Sequence, residues 1–153
     1  MADEIVMVKG DVRTIVFACE DDGTCPVQKF FSSLPKEAQA RFLVLFRQKA
    51  DSLKPLRGDC DKKLGEDISV NLAVLRSPRR VKARKPLSEF KRNADKARMI
   101  YFHWDCRKTG QKFLVVVHGF PKKENKIKPG EIKRAKRIAV SYMERKARKG
   151  LIG

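Results

Sequence analysis

The chain has 153 residues, 42% of them apolar, which is enough for one compact domain with a real core and too many for a disordered basic tail. Lys and Arg outnumber Asp and Glu by 36 to 18, a formal net charge of +18. No apolar run approaches the roughly 20 residues that a membrane helix needs, and the acidic opening MADEIVMVKGD is no signal peptide, so a soluble cytoplasmic protein without membrane contact is expected.

Residues 14–19, TIVFAC, are short and β-branched and precede an Asp-Asp-Gly turn, which reads as a strand; whether residues 5–8 add another is open. Pro26 suits the first position of a short helix that ends at residue 34. A second helix spans residues 36–53, with Ala38, Phe42, Leu45 and Phe46 forming an apolar stripe along which the stem of Lys49 can extend. The pair makes a helical hairpin that needs a sheet to cover. Residues 54–67 carry Pro, two Gly and many charges and read as a loop. Ile68, Val70, Leu72 and Val74 then alternate with Ser69, Asn71 and Ala73, the period of a half-buried strand closing at Arg76.

Residues 77–97 hold two prolines and a dense run of cations, and read as a long, mobile basic insertion, with room for a short helix over 86–97. Residues 98–104 form the next strand, 105–110 a hairpin, and 112–120 the returning strand. Val115, Val116 and Val117 in sequence place that last strand in the sheet interior. From Pro129 an amphipathic helix runs to about residue 148, with Ile132, Ala135, Ala139, Tyr142 and Met143 on one face and Lys133, Arg134, Lys136 and Arg137 on the other. The expected fold is a single α+β domain over residues 1–153: two N-terminal helices packed on an antiparallel sheet, plus the C-terminal helix.

The charge is localised. Residues 76–98 hold ten Lys/Arg against Glu89 and Asp95, a net of +8, and residues 121–150 hold twelve against three acidic residues, a net of +9. Fields of that sign attract polyanions, chiefly nucleic acid. If strands 68–76, 98–104 and 112–120 form an antiparallel meander, Arg76, Arg98 and the Lys122-Lys123 pair meet at one sheet edge. Like charges so close cost several kcal/mol unless an anion relieves them, and a phosphate fits, since Arg binds it through a planar fork and Lys as a point charge. Such a site could stabilise the phosphorane formed when RNA is cut by its own 2′-hydroxyl, while a Lys with lowered pKa moves protons. His118, near the strand end, is a further candidate for proton exchange, although a strand histidine is more often packed or solvated. Tyr101 and His103 share a strand face and read as packing or RNA-surface residues. Arg79, Arg80, Lys82, Arg84 and Lys85 in the insertion, with Lys126 and Lys128 in the later loop, are candidate RNA contacts. The four cysteines form no CxxC pair and have no His at ligand spacing, so neither metal nor cofactor is expected.

The ordered set DDGTCPV, SLPKEAQARF, NLAVLR, ARMIYF, VVVHGFPKK and KPGEIKRAKR, spanning residues 12–143, resembles the HigB/RelE superfamily of type II toxins, nearest its phage-derived branch. The resemblance implies a RelE-like microbial RNase fold with two N-terminal helices against a twisted antiparallel sheet. It also implies metal-independent cleavage of mRNA on the ribosome, and neutralisation by a cognate antitoxin, often a helix-turn-helix protein. By position Arg76 matches the family's strand-end arginine, Arg98 the arginine that opens the next strand, and Lys122-Lys123 the basic pair after the turn. Three features depart from the pattern: the long link from Arg76 to Arg98, the lack of an acidic residue before Arg76 in NLAVLR, and the extended C-terminus. A non-catalytic RNA- or ribosome-binding protein on the same fold is therefore the alternative.

Overall fold

The structure, a computed structural model, describes residues 2–54, 56, 60–73 and 80–151. Within them lie strands β1 (Glu4–Lys9), β2 (Thr14–Ala18), β3 (Asp61–Ala73), β4 (Arg80–Arg92), β5 (Ala97–Asp105) and β6 (Lys112–Pro121). The helices are α1 (Pro26–Ser33), α2 (Lys36–Asp51) and α3 (Pro129–Arg148). The strands form one mixed, mostly antiparallel sheet in the order β1-β2-β6-β5-β4-β3, in which β2 and β6 are the parallel pair. This is an α+β domain with the N-terminal helices on one face and α3 on the other; no described helix is long and apolar enough to cross a membrane.

The sheet needs two covers because β2, β5 and β6 are buried on both faces. Val16, Ile100, Phe102, Trp104, Val115 and Val117 pack under Ala135, Ile138, Ala139, Tyr142 and Met143 of α3. Ile15, Phe17, Met99, Tyr101, Leu114 and Val116 pack under Val27 and Phe31 of α1 and Phe42, Leu45 and Phe46 of α2. The expected stripe on α2 is buried throughout, and Lys49 runs along it as the spacing suggests, its Nζ 2.7 Å from Asp61. Pro26 and Pro129 open their helices, where a missing N–H costs nothing.

Two expectations are overturned. The segment 54–67 is not wholly a loop, since β3 begins at Asp61. The segment 77–97 is not a loose insertion and holds no helix over its described part: residues 80–92 are a 13-residue strand, with Leu87 in the α3-side core and Phe90 in the opposite one. Leu87, Phe90 and Ala94 fit a helical period, yet the chain gains more by pairing β4 along the whole of β3, from Asp61↔Phe90 to Ala73↔Arg80. Pro86 is tolerated because β5 bonds β4 only over Ser88–Arg92, so Pro86 lies where β4 has no partner on that side. The assumed meander falls with it. β4 lies between β3 and β5, so the described end of β3 sits beside Arg80, far from Arg98 and Phe120. Arg76 and Arg79 themselves lie outside the described residues.

Gly10 marks a close approach. A Cβ there would collide with the backbone carbonyl of Ala50, which accepts hydrogen bonds from the amides of Val12 and Arg13 at 2.9 and 3.0 Å. This contact ties the β1–β2 turn to the end of α2. Gly10→Ala is expected to destabilise the fold by about 1–3 kcal/mol, the usual cost of forcing extra carbon into a packed site, read as a lower urea midpoint at unchanged m-value.

Candidate active site

Three strands and one loop meet on the α3 side of the sheet, at the end where β4 turns into β5. β4 supplies Glu89 and Lys91, β3 places Lys62 opposite Glu89, and β5 places Arg98 opposite Lys91. Cross-strand partners and alternate residues share a face, so these four side chains project together. Residues 122–128, joining β6 to α3, cross over them. The loop is held at its start by the Lys122 amide, which donates to the Lys96 carbonyl at 2.7 Å.

Under this loop lies a buried ion pair. Arg98 is 2% exposed and Glu89 is wholly buried. Nη1 of Arg98 is 3.5 Å from Glu89 Oε2, and Nη2 donates to the carbonyls of Glu124 and Asn125 at 2.9 and 2.7 Å. Nε of Arg98 and both carboxylate oxygens of Glu89 find no hydrogen-bond partner among the described residues. Burying a pair with its hydrogen bonds incomplete costs several kcal/mol, so stability does not explain this one. Burial pushes the Glu89 carboxyl above its ordinary range, against the pull of Arg98 first and then of Lys62, Lys91 and Lys122. Desolvation, together with the Lys62 ammonium beside it, lowers Lys91. A carboxyl raised and an amine lowered are the two shifts that bring a base and an acid toward neutral pH.

The loop runs between two clefts. One, of about 130 Å³, is lined by Arg98, Phe120, Lys122, Lys123, Lys126 and Glu131, among others. Lys128 also contributes to it. The other is bounded by Lys62, Lys63, Glu89, Arg98, Asn125 and Lys126. Arg98 belongs to both.

Of the residues singled out from sequence, Arg98, Lys122, Lys123, Lys126 and Lys128 are thus brought together. His118 is not. It lines neither cleft and stands behind Phe120, their rings stacked at 5.1 Å, with its Nε2 2.5 Å from the Glu131 carboxylate. Burial lowers its pKa against the pull of Glu131. Its position makes it a link between β6 and α3. Arg80, Lys82 and Arg84 lie on the other face of the sheet, on the part of β4 beyond β5. Lys85 turns toward α3, its Nζ 5.5 Å from the Trp104 ring centre, and burial lowers its pKa. Tyr101 is packed, its hydroxyl donating to Asp61. The His103 ring stands edge-on to it at 5.7 Å, and burial takes His103 down to about 4.

Glu89, Lys62 and Lys91 were not singled out from sequence. The signal for Glu89 was its parity: it falls two residues after Leu87 and six after Ala83, both core residues, once 80–92 is read as a strand. Comparison with models of protein families, with curated proteins and with solved structures finds no match.

The shift on Glu89 sets a pH dependence. A carboxyl whose folded pKa is raised binds its proton more tightly in the folded state. Its contribution to stability is therefore complete below the unfolded value, about 4.3, and is lost as pH rises through the folded one. Glu89→Gln removes this loss. Its stability relative to the parent protein, measured by urea denaturation at a series of pH values, is expected to rise from about pH 4.3 upward; a flat or falling difference would contradict the burial argument.

Proposed function

We propose that this chain is a metal-independent endoribonuclease on a RelE-like microbial RNase fold, the toxin of a type II toxin–antitoxin system that cleaves mRNA on the ribosome. The observation that carries the reading is the buried Glu89–Arg98 pair, with its polar atoms left open and Lys62, Lys91 and Lys122 close enough to act on Glu89. In the proposed reaction the scissile phosphate takes the place of the Glu124 and Asn125 carbonyls on Arg98. Glu89 accepts the 2′-hydroxyl proton as the 2′-oxygen attacks phosphorus. Arg98 and Lys122 neutralise the charge gathering on the phosphorane. The bond to the 5′-oxygen breaks and Lys91 returns a proton to that oxygen, leaving a 2′,3′-cyclic phosphate and a 5′-hydroxyl. Lys123, Lys126 and Lys128 hold the neighbouring phosphates. The partners on this reading are mRNA, the ribosome and a cognate antitoxin of helix-turn-helix type.

One observation favours a non-catalytic RNA- or ribosome-binding protein instead: Arg98 Nη2 is already occupied by two loop carbonyls and Glu89 is closed off. Cleavage separates the two readings. On inducible expression, mapped transcript 5′ ends are expected to show new cuts that a chelator does not suppress in vitro and that co-expression of an adjacent helix-turn-helix protein abolishes. Glu89→Gln and Lys91→Gln are each expected to lower cleavage by about 10²–10⁴-fold, the range for losing a general base or acid, with the fold intact by circular dichroism. Unchanged cleavage in Glu89→Gln sinks this assignment, and tight RNA binding without any cuts on translating ribosomes supports the alternative.

A further inference from the structure

β4 pairs with β5 only over Ser88–Arg92, while its pairing with β3 continues to Ala73↔Arg80. Residues 67–73 and 80–86 are therefore a two-stranded ribbon that continues past the pairing of β4 with β5. Its two faces differ completely. Ile68, Leu72, Ala83 and Leu87 point to α3 and join the core, with Val70 packed against them. The alternate residues, Ser69, Asn71 and Ala73 on β3 and Arg80, Lys82, Arg84 and Pro86 on β4, are all exposed, and Asp67 is half-buried beside them. No described element covers this face.

We propose that the outward face of this ribbon binds the phosphodiester backbone of a double-stranded nucleic acid, as a contact separate from the Glu89–Arg98 cleft. Arg80, Lys82 and Arg84 stand at every second residue of the strand, about 6.6 Å apart, in one exposed row. Among the described residues the row meets a single carboxylate: Asp67, 2.6 Å from Arg84. Across from Lys82 and Arg84, Asn71 and Ser69 add an amide and a hydroxyl, groups that commonly hydrogen-bond phosphate oxygens. The described face carries no aromatic side chain. Proteins that hold single strands rely on aromatic platforms for stacking, so what remains here is phosphate contact alone, which suits the regular backbone of a duplex. The ribbon and the cleft occupy opposite faces of the sheet. Along β4, five to nine residues separate Arg84, Lys82 and Arg80 from Glu89, roughly 17–30 Å. One duplex docked on the ribbon therefore leaves the cleft open to another segment. This inference does not depend on the cleavage reading.

The test uses the full chain with short mixed-sequence probes: an RNA duplex, the matching DNA duplex and one single strand, with binding measured across a salt series. The variant Arg80→Thr, Lys82→Thr, Arg84→Thr removes the row while keeping strand-favouring side chains. A control variant, Lys29→Gln, Lys36→Gln, Lys54→Gln, removes the same charge from exposed positions in the helical layer and the turn after it. The ribbon variant is expected to lower the slope of log affinity against log salt by about 2–3 on duplex probes, whatever their sequence, and the control by much less. Loss on the RNA duplex alone assigns the partner as RNA, and loss on both duplexes assigns it to duplex backbone in general. An unchanged slope, an equal loss in the control, or tighter binding of the single strand overturns the proposal. Should the triple variant unfold, Lys82→Thr alone, whose ammonium forms no ion pair among the described residues, is expected to lower the slope by about 1; no change there overturns it equally. Glu89→Gln keeps the ribbon and reports on the cleft alone. A parent protein that never cuts RNA, yet loses its slope with the ribbon, ends the ribonuclease reading and leaves the duplex contact standing.

Discussion

Strands β2, β6 and β5 are apolar on both faces, and water must be kept from both. That single requirement sets most of the architecture. One helical layer cannot cover two faces, so α1 and α2 take one and α3 the other. It also decides where polar chemistry can stand. The middle of the sheet is filled with Val, Ile, Phe, Tyr and Trp, and charged groups are pushed to the strand ends, to the edge strand β3 and to its neighbour β4. Among the described residues Glu89 and Arg98 are the most deeply buried charged pair, at the border where the core gives way to the loop 122–128.

That pair is expensive and its surroundings explain how it persists. Two unit charges of like sign about 4 Å apart repel by roughly 4 kcal/mol at an effective dielectric of 20. Lys62, Lys91, Lys122 and Arg98 all act on Glu89, and with no anion among them their like charges would oppose one another. Glu89 supplies one negative charge at their centre, and desolvation pushes that carboxyl toward losing it. Desolvation outweighs the pull of the cations, so the carboxyl holds its proton more tightly than an ordinary one. Four cations against one carboxylate still leave an excess of positive charge, which a phosphodiester would offset from the cleft side. The loop carbonyls on Arg98 are weaker acceptors than phosphate oxygens, since a charged acceptor makes the shorter and stronger hydrogen bond. On the proposed reaction, that difference is what draws the phosphodiester onto Arg98 in place of the loop carbonyls.

Much of the fold was legible because its signals were local. The run Val115-Val116-Val117 announced an interior strand, the stripe Ala38, Phe42, Leu45, Phe46 announced a packed helix, and Pro26 and Pro129 marked helix starts. Arg98 and Lys122-Lys123 were brought together in thought by their positions at strand ends, and they do adjoin the same cleft. What failed was partnership. Nothing within 61–67 or 80–92 says strand with any force: the first holds Gly65 and five charged residues, the second Pro86 and a helical coincidence of Leu87 with Phe90. Their pairing with each other makes them strands, and pairing is not a local property. Missing it displaced the assumed neighbour of β5 from β4 to β3, and with that error Glu89, Lys91 and Lys62 disappeared from view.

The same missed pairing hid a division of labour. In sequence, residues 76–98 are one block of positive charge. On a pleated strand, successive side chains point to opposite faces, so β4 sorts that block by parity. Glu89 and Lys91, at odd positions, turn toward α3 and the loop, where burial shifts their proton affinities. Arg80, Lys82 and Arg84, at even positions, turn to open solvent, Arg84 beside the Asp67 carboxylate. The first group has the environment for chemistry and a narrow reach; the second has reach and no environment for chemistry. The strand that joins the two sets their separation along β4, and its pleat puts them on opposite faces of the sheet.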